Sequence, residues 1–184
     1  MKKEEQHTVY TIGHSTHTFE VFLEMLQSFK IQVLADIRSL PGSNKYPQFN
    51  KEALQVSLPE NNIAYLHLLD LDGRRRVKKD SHNNRWRNDS FKGYADYMET
   101  PEFEKAIENL EQIALKKTTA YMCAEAVWWR CHRSMVSDYL KAKGWNVQHI
   151  MAVGKTQEHT YTSPAIIIGD KVSYADIDLF NAAC

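Results

Sequence analysis

The sequence predicts an α/β fold: a Rossmann-like, mostly parallel sheet of about five strands flanked by helices, with a C-terminal β-hairpin. Three observations predict it. Short β-rich runs alternate with segments whose apolar residues recur at helical spacing, the pattern of a parallel sheet with crossover helices. Ile31 to Ile37 is nearly all apolar, as a strand covered on both faces must be. Finally, 184 residues with 43% hydrophobic content suit one sizeable core, and no repeat, low-complexity tract or linker divides residues 1–184.

Val9 to Ile12 reads as the first strand, ending at Gly13-His14-Ser15. Thr18 can cap the following helix, Glu20 suits its dipole, and Phe19, Phe22, Leu23, Leu26 and Phe29 form its apolar stripe. The second strand ends in Asp36-Ile37-Arg38-Ser39. Pro41, Gly42, Ser43, Asn44 and Pro47 make a loop, and a short helix starts near Asn50. Ile63 to Leu68 is the third strand, bearing Tyr65 and His67. Residues 70–93 lack apolar periodicity and read as a long basic insertion loop. Thr100-Pro101-Glu102 is a cap, a first-turn proline and an acid, a strong helix start. Thr119 to Met122 is a buried strand running into Cys123, and a helix leaves Arg133 and ends at Gly144. Val147 to Met151 is the fifth strand. Residues 165–184 read as a hairpin over Ala165–Tyr174 and a short helix over Asp176–Phe180.

No apolar run approaches the length of a membrane span, and the N-terminal M-K-K-E-E-Q-H is no secretory signal. Three cysteines argue against a disulfide framework, so a cytoplasmic location is expected, with no membrane partner. Net charge is zero but uneven. Residues 74–92 hold eight basic residues against Asp80 and Asp89, a local +6 balanced by −6 elsewhere. Such a patch on a neutral protein points to a specific anionic partner.

In a parallel sheet the carboxyl ends of strands share one edge, where ligands bind. His14, Ser15, Asp36, Arg38 and Cys123 to Glu125 all fall there. Arg38 and Arg133 suit an oxyanion, since guanidinium binds such groups bidentately; an internal ion pair of Arg38 with Asp36 or Glu125 is the competing reading. Ser15, Ser43 and Tyr65 are further substrate contacts, Glu125 a general acid or base, and His14 an alternative proton carrier. A thiol near arginines and a helix N-terminus can be nucleophilic, which makes Cys123 and Cys131 candidates; either can equally be a small buried hydrophobe. Six residues separate Cys123 from Arg130, one more than a cysteine-phosphatase loop, and no glycine supplies its cradle. His132 is a candidate proton carrier, though its register with Val136, Tyr139 and Leu140 favours a core histidine.

Cys123, Cys131 and His132 lack zinc-finger or zinc-ribbon spacing, so no metal is expected. Neither G-x-G-x-x-G nor G-x-x-x-x-G-K-[ST] occurs, and no organic cofactor is expected. The residues together suggest a hydrolase or group transferase acting on a phosphorylated or anionic small molecule or nucleotide. The alternative is a nucleic-acid-binding module using Arg74, Arg75, Arg76, Lys78, Lys79, Arg85 and Arg87, with Trp86, Trp128 and Trp129 as stacking surfaces.

The segments T-I-G-H-S (11–15), D-I-R-S-L-P-G-S (36–43), F-K-G-Y-A-D-Y-M (91–98) and C-A-E…C-H-R-S (123–134) resemble, in order, the domain-of-unknown-function 488 family. The resemblance covers residues 9–151 and implies one cytoplasmic α/β domain, without naming a reaction. Val127-Trp128-Trp129 departs from the polar or proline-containing turn of similar members, and two tryptophans there can change what the loop accepts.

Overall fold

The computed structural model describes residues 6–176. Its main sheet has six strands: β1 (Thr8–Gly13), β2 (Val33–Asp36), β3 (Ala64–His67), β4 (Thr119–Cys123), β5 (Asn146–Ala152) and β6 (Lys155–Glu158). Their spatial order is β3-β2-β4-β1-β5-β6. The first five are mutually parallel, and β6 runs antiparallel to β5 at one edge. The helices are α1 (Phe19–Ser28), α2 (Lys51–Ser57), α3 (Asp89–Met98), α4 (Pro101–Lys116) and α5 (Arg133–Ala142). A separate hairpin, β7 (Ile166–Ile168) with β8 (Lys171–Ser173), completes the described chain. The α/β architecture, the mainly parallel sheet and the C-terminal hairpin all match the sequence reading. No described helix is long and apolar enough to cross a membrane.

The sheet separates two cores. Val9, Ile37, Tyr94, Phe103, Tyr121 and Val136 pack on one face; Ile12, Phe22, Leu26, Leu34, Leu54 and Met122 pack on the other. β4 is paired on both sides and covered on both faces, so its five residues are all buried. Tyr121 therefore belongs to one core while Ala120 and Met122 belong to the other, the period-two alternation of a strand. The caps form as the residue types dictate. Thr18 Oγ1 accepts from the Val21 amide and Thr100 Oγ1 from the Phe103 amide, each at 3.3 Å. Gly144 takes φ +91° just beyond α5, a conformation in which a side chain is strained.

Two elements escape the sequence reading. β6 is K-T-Q-E, polar and exposed along its length, so apolar periodicity is silent about it; charge on an edge strand also blocks edge-to-edge pairing. α3 begins at Asp89, inside the stretch read as a loop. Its signal was the Asn88 cap, whose side chain accepts from the Ser90 and Phe91 amides. The remaining loop is folded onto α3 through Asp96. That buried carboxylate accepts from the Lys78 amide, the Ser81 hydroxyl and the Asn83 side-chain amide. The helix expected over Asp176–Phe180 lies outside the described residues beyond Asp176.

Candidate functional site

The register of the sheet brings the strand ends together. Gly13 pairs with Cys123 and Asp36 with Met122, so the three chain exits lie side by side. The His14 amide then donates to the Cys123 carbonyl at 3.2 Å, and the Ser15 amide to the Ala124 carbonyl at 2.9 Å. A Cβ on Gly13 would stand 1.9 Å from the Glu125 carbonyl oxygen, so this approach requires glycine. Ser15 turns the chain away at φ 48°.

Asp36, Arg38, Tyr65 and His14 form one closed network. Arg38 Nε donates to Asp36 Oδ1 at 2.9 Å and Nη2 to Oδ2 at 2.6 Å, while Nη2 also reaches the Phe49 carbonyl at 2.8 Å. Tyr65 donates its hydroxyl to Asp36 Oδ2 at 2.7 Å. His14 stacks on Phe49 and lies 3.2 Å from Arg38 Nη1 through Nε2. Its Nδ1 lies 3.0 Å from the Ser15 carbonyl, so Nδ1 carries the proton and Nε2 accepts. Burial, then the Arg38 charge, lower the His14 pKa to about 4. Burial and then the Asp36 charge push the Tyr65 hydroxyl far above its ordinary value. These findings correct the reading of Arg38 as an anion clamp: its fork is filled by Asp36, the internal pair that was the competing reading. His14, neutral and held at both nitrogens, acts as a spacer in this network.

Arg133 is corrected as well. It is the largest fully buried side chain among the described residues, 1% exposed, and it lines neither of the cavities described below. Its Nη2 donates to the carbonyls of Glu125 at 2.9 Å and Ala126 at 3.4 Å, and its Nε has no partner. Among the described residues no carboxylate pairs with it. A buried cation without a counter-ion is costly, and a nearby negative charge would offset that cost.

That charge is available on the cysteines. The sulfurs of Cys123 and Cys131 and a ring nitrogen of His132 all lie within 4.8 Å of one another. Neither thiol is in a disulfide. Cys131 Sγ accepts from the Arg133 amide at 3.4 Å, at the first turn of α5, and lies 3.6 Å from His132 Nδ1. Interaction with the neighbouring Cys131 thiol, followed by His132 and Arg133, holds Cys123 well below the usual thiol range against the opposing effect of burial. Burial and then Cys123 push Cys131 well above that range. The two thiols are thus pushed in opposite directions, which makes Cys123 the readier thiolate of the pair. Two sulfurs and one imidazole nitrogen could also hold a thiophilic ion such as zinc, one ligand short of a closed tetrahedral site.

The cluster faces open space. A cavity of about 330 Å³ is lined by Gly73, Asn88, Ser90, Cys123, Glu125, Arg130, Cys131 and His132. A second of about 260 Å³ is lined by Arg38, Ser39, Gly73, Arg74, Cys123 and His132. Cys123, Gly73 and His132 belong to both. His132 is therefore a cavity residue and not the hydrogen-bonded core histidine its register suggested; its buried Nε2 has no partner. Gly73 is required there, since a Cβ would lie 2.4 Å from His132 Nδ1. Arg74, Arg130 and Glu125 are exposed at the rim. The capped N-terminus of α3 adds positive potential beside Ser90. Gly73, Asn88, Ser90 and Arg130 were not among the expected site residues, and Arg74 was expected only as a nucleic-acid contact.

Other expected residues lie apart from the thiols. Ser43 Oγ accepts from the Lys45 and Tyr46 amides within its own turn. Arg75 stacks 3.8 Å from the Tyr97 ring and pairs with Asp72, and Arg85 donates to the Pro164 carbonyl at 2.7 Å. Arg76, Lys78, Lys79 and Arg87 are exposed. Trp86 is stacked on Phe91 and Trp128 on His149, so neither offers a free face pair to a base; Trp129 is half-exposed.

An open, largely parallel sheet with its reactive side chains gathered at the carboxyl edge defines a Rossmann-like α/β domain. A family model, the domain of unknown function DUF488, matches residues 18–140, and the chain belongs to that family. No curated protein and no solved structure matches it.

Proposed function

We propose that the protein is a group-transfer enzyme for small anionic molecules, with the Cys123 thiolate as nucleophile. The observation that carries this reading is the gathering of two thiols and a His132 ring nitrogen within 4.8 Å of one another on the wall of a cavity. Arg133, buried behind them without a carboxylate, supports a thiolate as the resting form. Arg74 and Arg130 at the two mouths, with the α3 N-terminus, favour a negatively charged substrate. Glu125, exposed at the rim, is the group available to move a proton to or from the leaving atom. Arg133 and His14 act through the thiolate and the strand-end geometry, without touching substrate.

Alkylation kinetics test the reading. Cys123 should react with iodoacetamide with a midpoint below pH ~7.5, as activated thiols do. The ratio of the iodoacetate rate to the iodoacetamide rate should exceed the ratio for a free thiol, because iodoacetate is anionic. Charge reversal at Arg74 and Arg130 should abolish that excess. A Cys123 that alkylates no faster than free cysteine at pH 7 refutes the proposal.

A further inference from the structure

A lone nucleophile does not need a second thiol against it. Both cysteines line the larger cavity, and only Cys123 also lines the second, so Cys123 is the thiol open to a molecule in either. A phosphoryl or acyl adduct on Cys123 would gain nothing from that neighbour, because transfer to Cys131 only reproduces the same ester. The loop also lacks the glycine cradle a phosphoryl group needs. A sulfur adduct is different: an adjacent thiol displaces it and closes a stable disulfide.

Building on the thiolate reading above, we infer that the substrate is an anionic low-molecular-weight disulfide and that Cys131 is the resolving thiol. The Cys123 thiolate attacks one sulfur of R–S–S–R. That S–S bond breaks, one RS⁻ leaves, and a mixed disulfide forms on Cys123. Cys131 then gives its proton to His132, whose Nδ1 is 3.6 Å away. Its sulfur attacks the Cys123 sulfur, the second RS⁻ leaves with the proton from His132, and a Cys123–Cys131 disulfide remains. The substrate gains two electrons and the cysteine pair loses two; a cellular dithiol, or two monothiols, restores the reduced protein. His132 suits the relay because its Nε2 is buried and unclaimed by any other group. Arg74 and Arg130 bind the carboxylates that such a disulfide carries.

The experiment uses the full chain in a Cys184→Ser background, oxidised glutathione as probe, and intact-mass measurement. The parent protein should lose two hydrogens and retain no glutathione. Cys131→Ser should retain one glutathione, on Cys123, and Cys123→Ser should retain none. Glutathione disulfide should react about 10-fold faster than uncharged hydroxyethyl disulfide, an excess that charge reversal at Arg74 and Arg130 removes. If Cys123 alkylates rapidly but the parent protein stops at the mixed disulfide or stays unchanged, this inference falls and the nucleophile reading stands. If Cys123 does not alkylate either, both fall. One equivalent of zinc held by the two thiols in tag-free protein also overturns the disulfide reaction.

Discussion

Replacing Arg133 by methionine tests the electrostatic core of the site. The side chain keeps most of its volume and loses its charge. In the parent protein the guanidinium is 1% exposed and faces no carboxylate, so its field acts on the Cys123 thiolate in a weakly polarisable interior. A nearby cation lowers an acid's pKa by ~1–3 units, about 1.4 kcal/mol per unit; Arg133 acts on Cys123 after Cys131 and His132, so the lower part of that span applies. The variant's thiolate midpoint should therefore rise by that amount, measured by thiolate absorbance during pH titration. Alkylation at pH 7 should slow about 10- to 100-fold, since each unit is a factor of ten in thiolate once the midpoint exceeds the pH. The Cys123 pKa is depressed in the folded state. The stability it contributes is present above the unfolded value of ~8.5 and is lost as pH falls through the folded value. That slope should flatten in the variant. Arg133→Lys should restore part of the shift by restoring the charge. A folded Arg133→Met protein with an unmoved midpoint would show that Arg133 does not hold the thiolate.

Gly73→Ala should push the His132 ring aside, costing ~1–3 kcal/mol in denaturant titration and slowing Cys131-dependent disulfide closure; unchanged closure would show that the ring position is immaterial. Acid should destabilise the fold. Burial, then the charge of His159, lower His149 to about 2, so below pH 6.5 the unfolded chain takes up a proton that the folded chain refuses. Stability should fall by up to ~1.4 kcal/mol per pH unit between pH 6 and 4 from this residue, and His149→Gln should remove that slope. Asp96→Ala should release the basic loop and cost ~1–3 kcal/mol, with new protease cleavage between residues 74 and 88 in limited digestion. Asp36→Asn leaves Arg38 buried and half-paired, and should lower stability by ~3–5 kcal/mol in the same titration.

The five parallel strands were legible because their residues are apolar at the period a buried strand needs, as Thr119 to Met122 illustrates. The strand-end location of Cys123, His14 and Asp36 followed from the same reading. What each side chain does there was not legible, because partners come from distant segments. Arg38 looks the same in sequence whether it faces a ligand or Asp36, two residues away. Arg133 carries the signature of an anion binder, yet α5 buries it completely. Gly73 and Asn88 sit in a basic stretch without periodicity, and their role appears only when Asp96 folds that stretch against the cavity. β6 left no apolar trace because an edge strand facing water needs none.

The order of the strands has a consequence for how the protein is made. β1 lies between β4 and β5, and its Tyr10 pairs with Ala120 and Gln148. Translation at ~5–20 residues per second separates the emergence of Tyr10 from that of its first partner by roughly 6–20 s. Through that interval β1 lacks both of its native neighbours, and the edges it can meet are those of the β2–β3 pair and of other nascent chains. Pairing across more than a hundred residues also closes a large loop late, which slows folding. Cys123 stands at the end of the strand that closes this loop, so the proposed nucleophile and the fold arrive together. A chain truncated before Thr119 lacks the central strand of its sheet, and synthesis in a crowded lysate should leave it dependent on holdase chaperones.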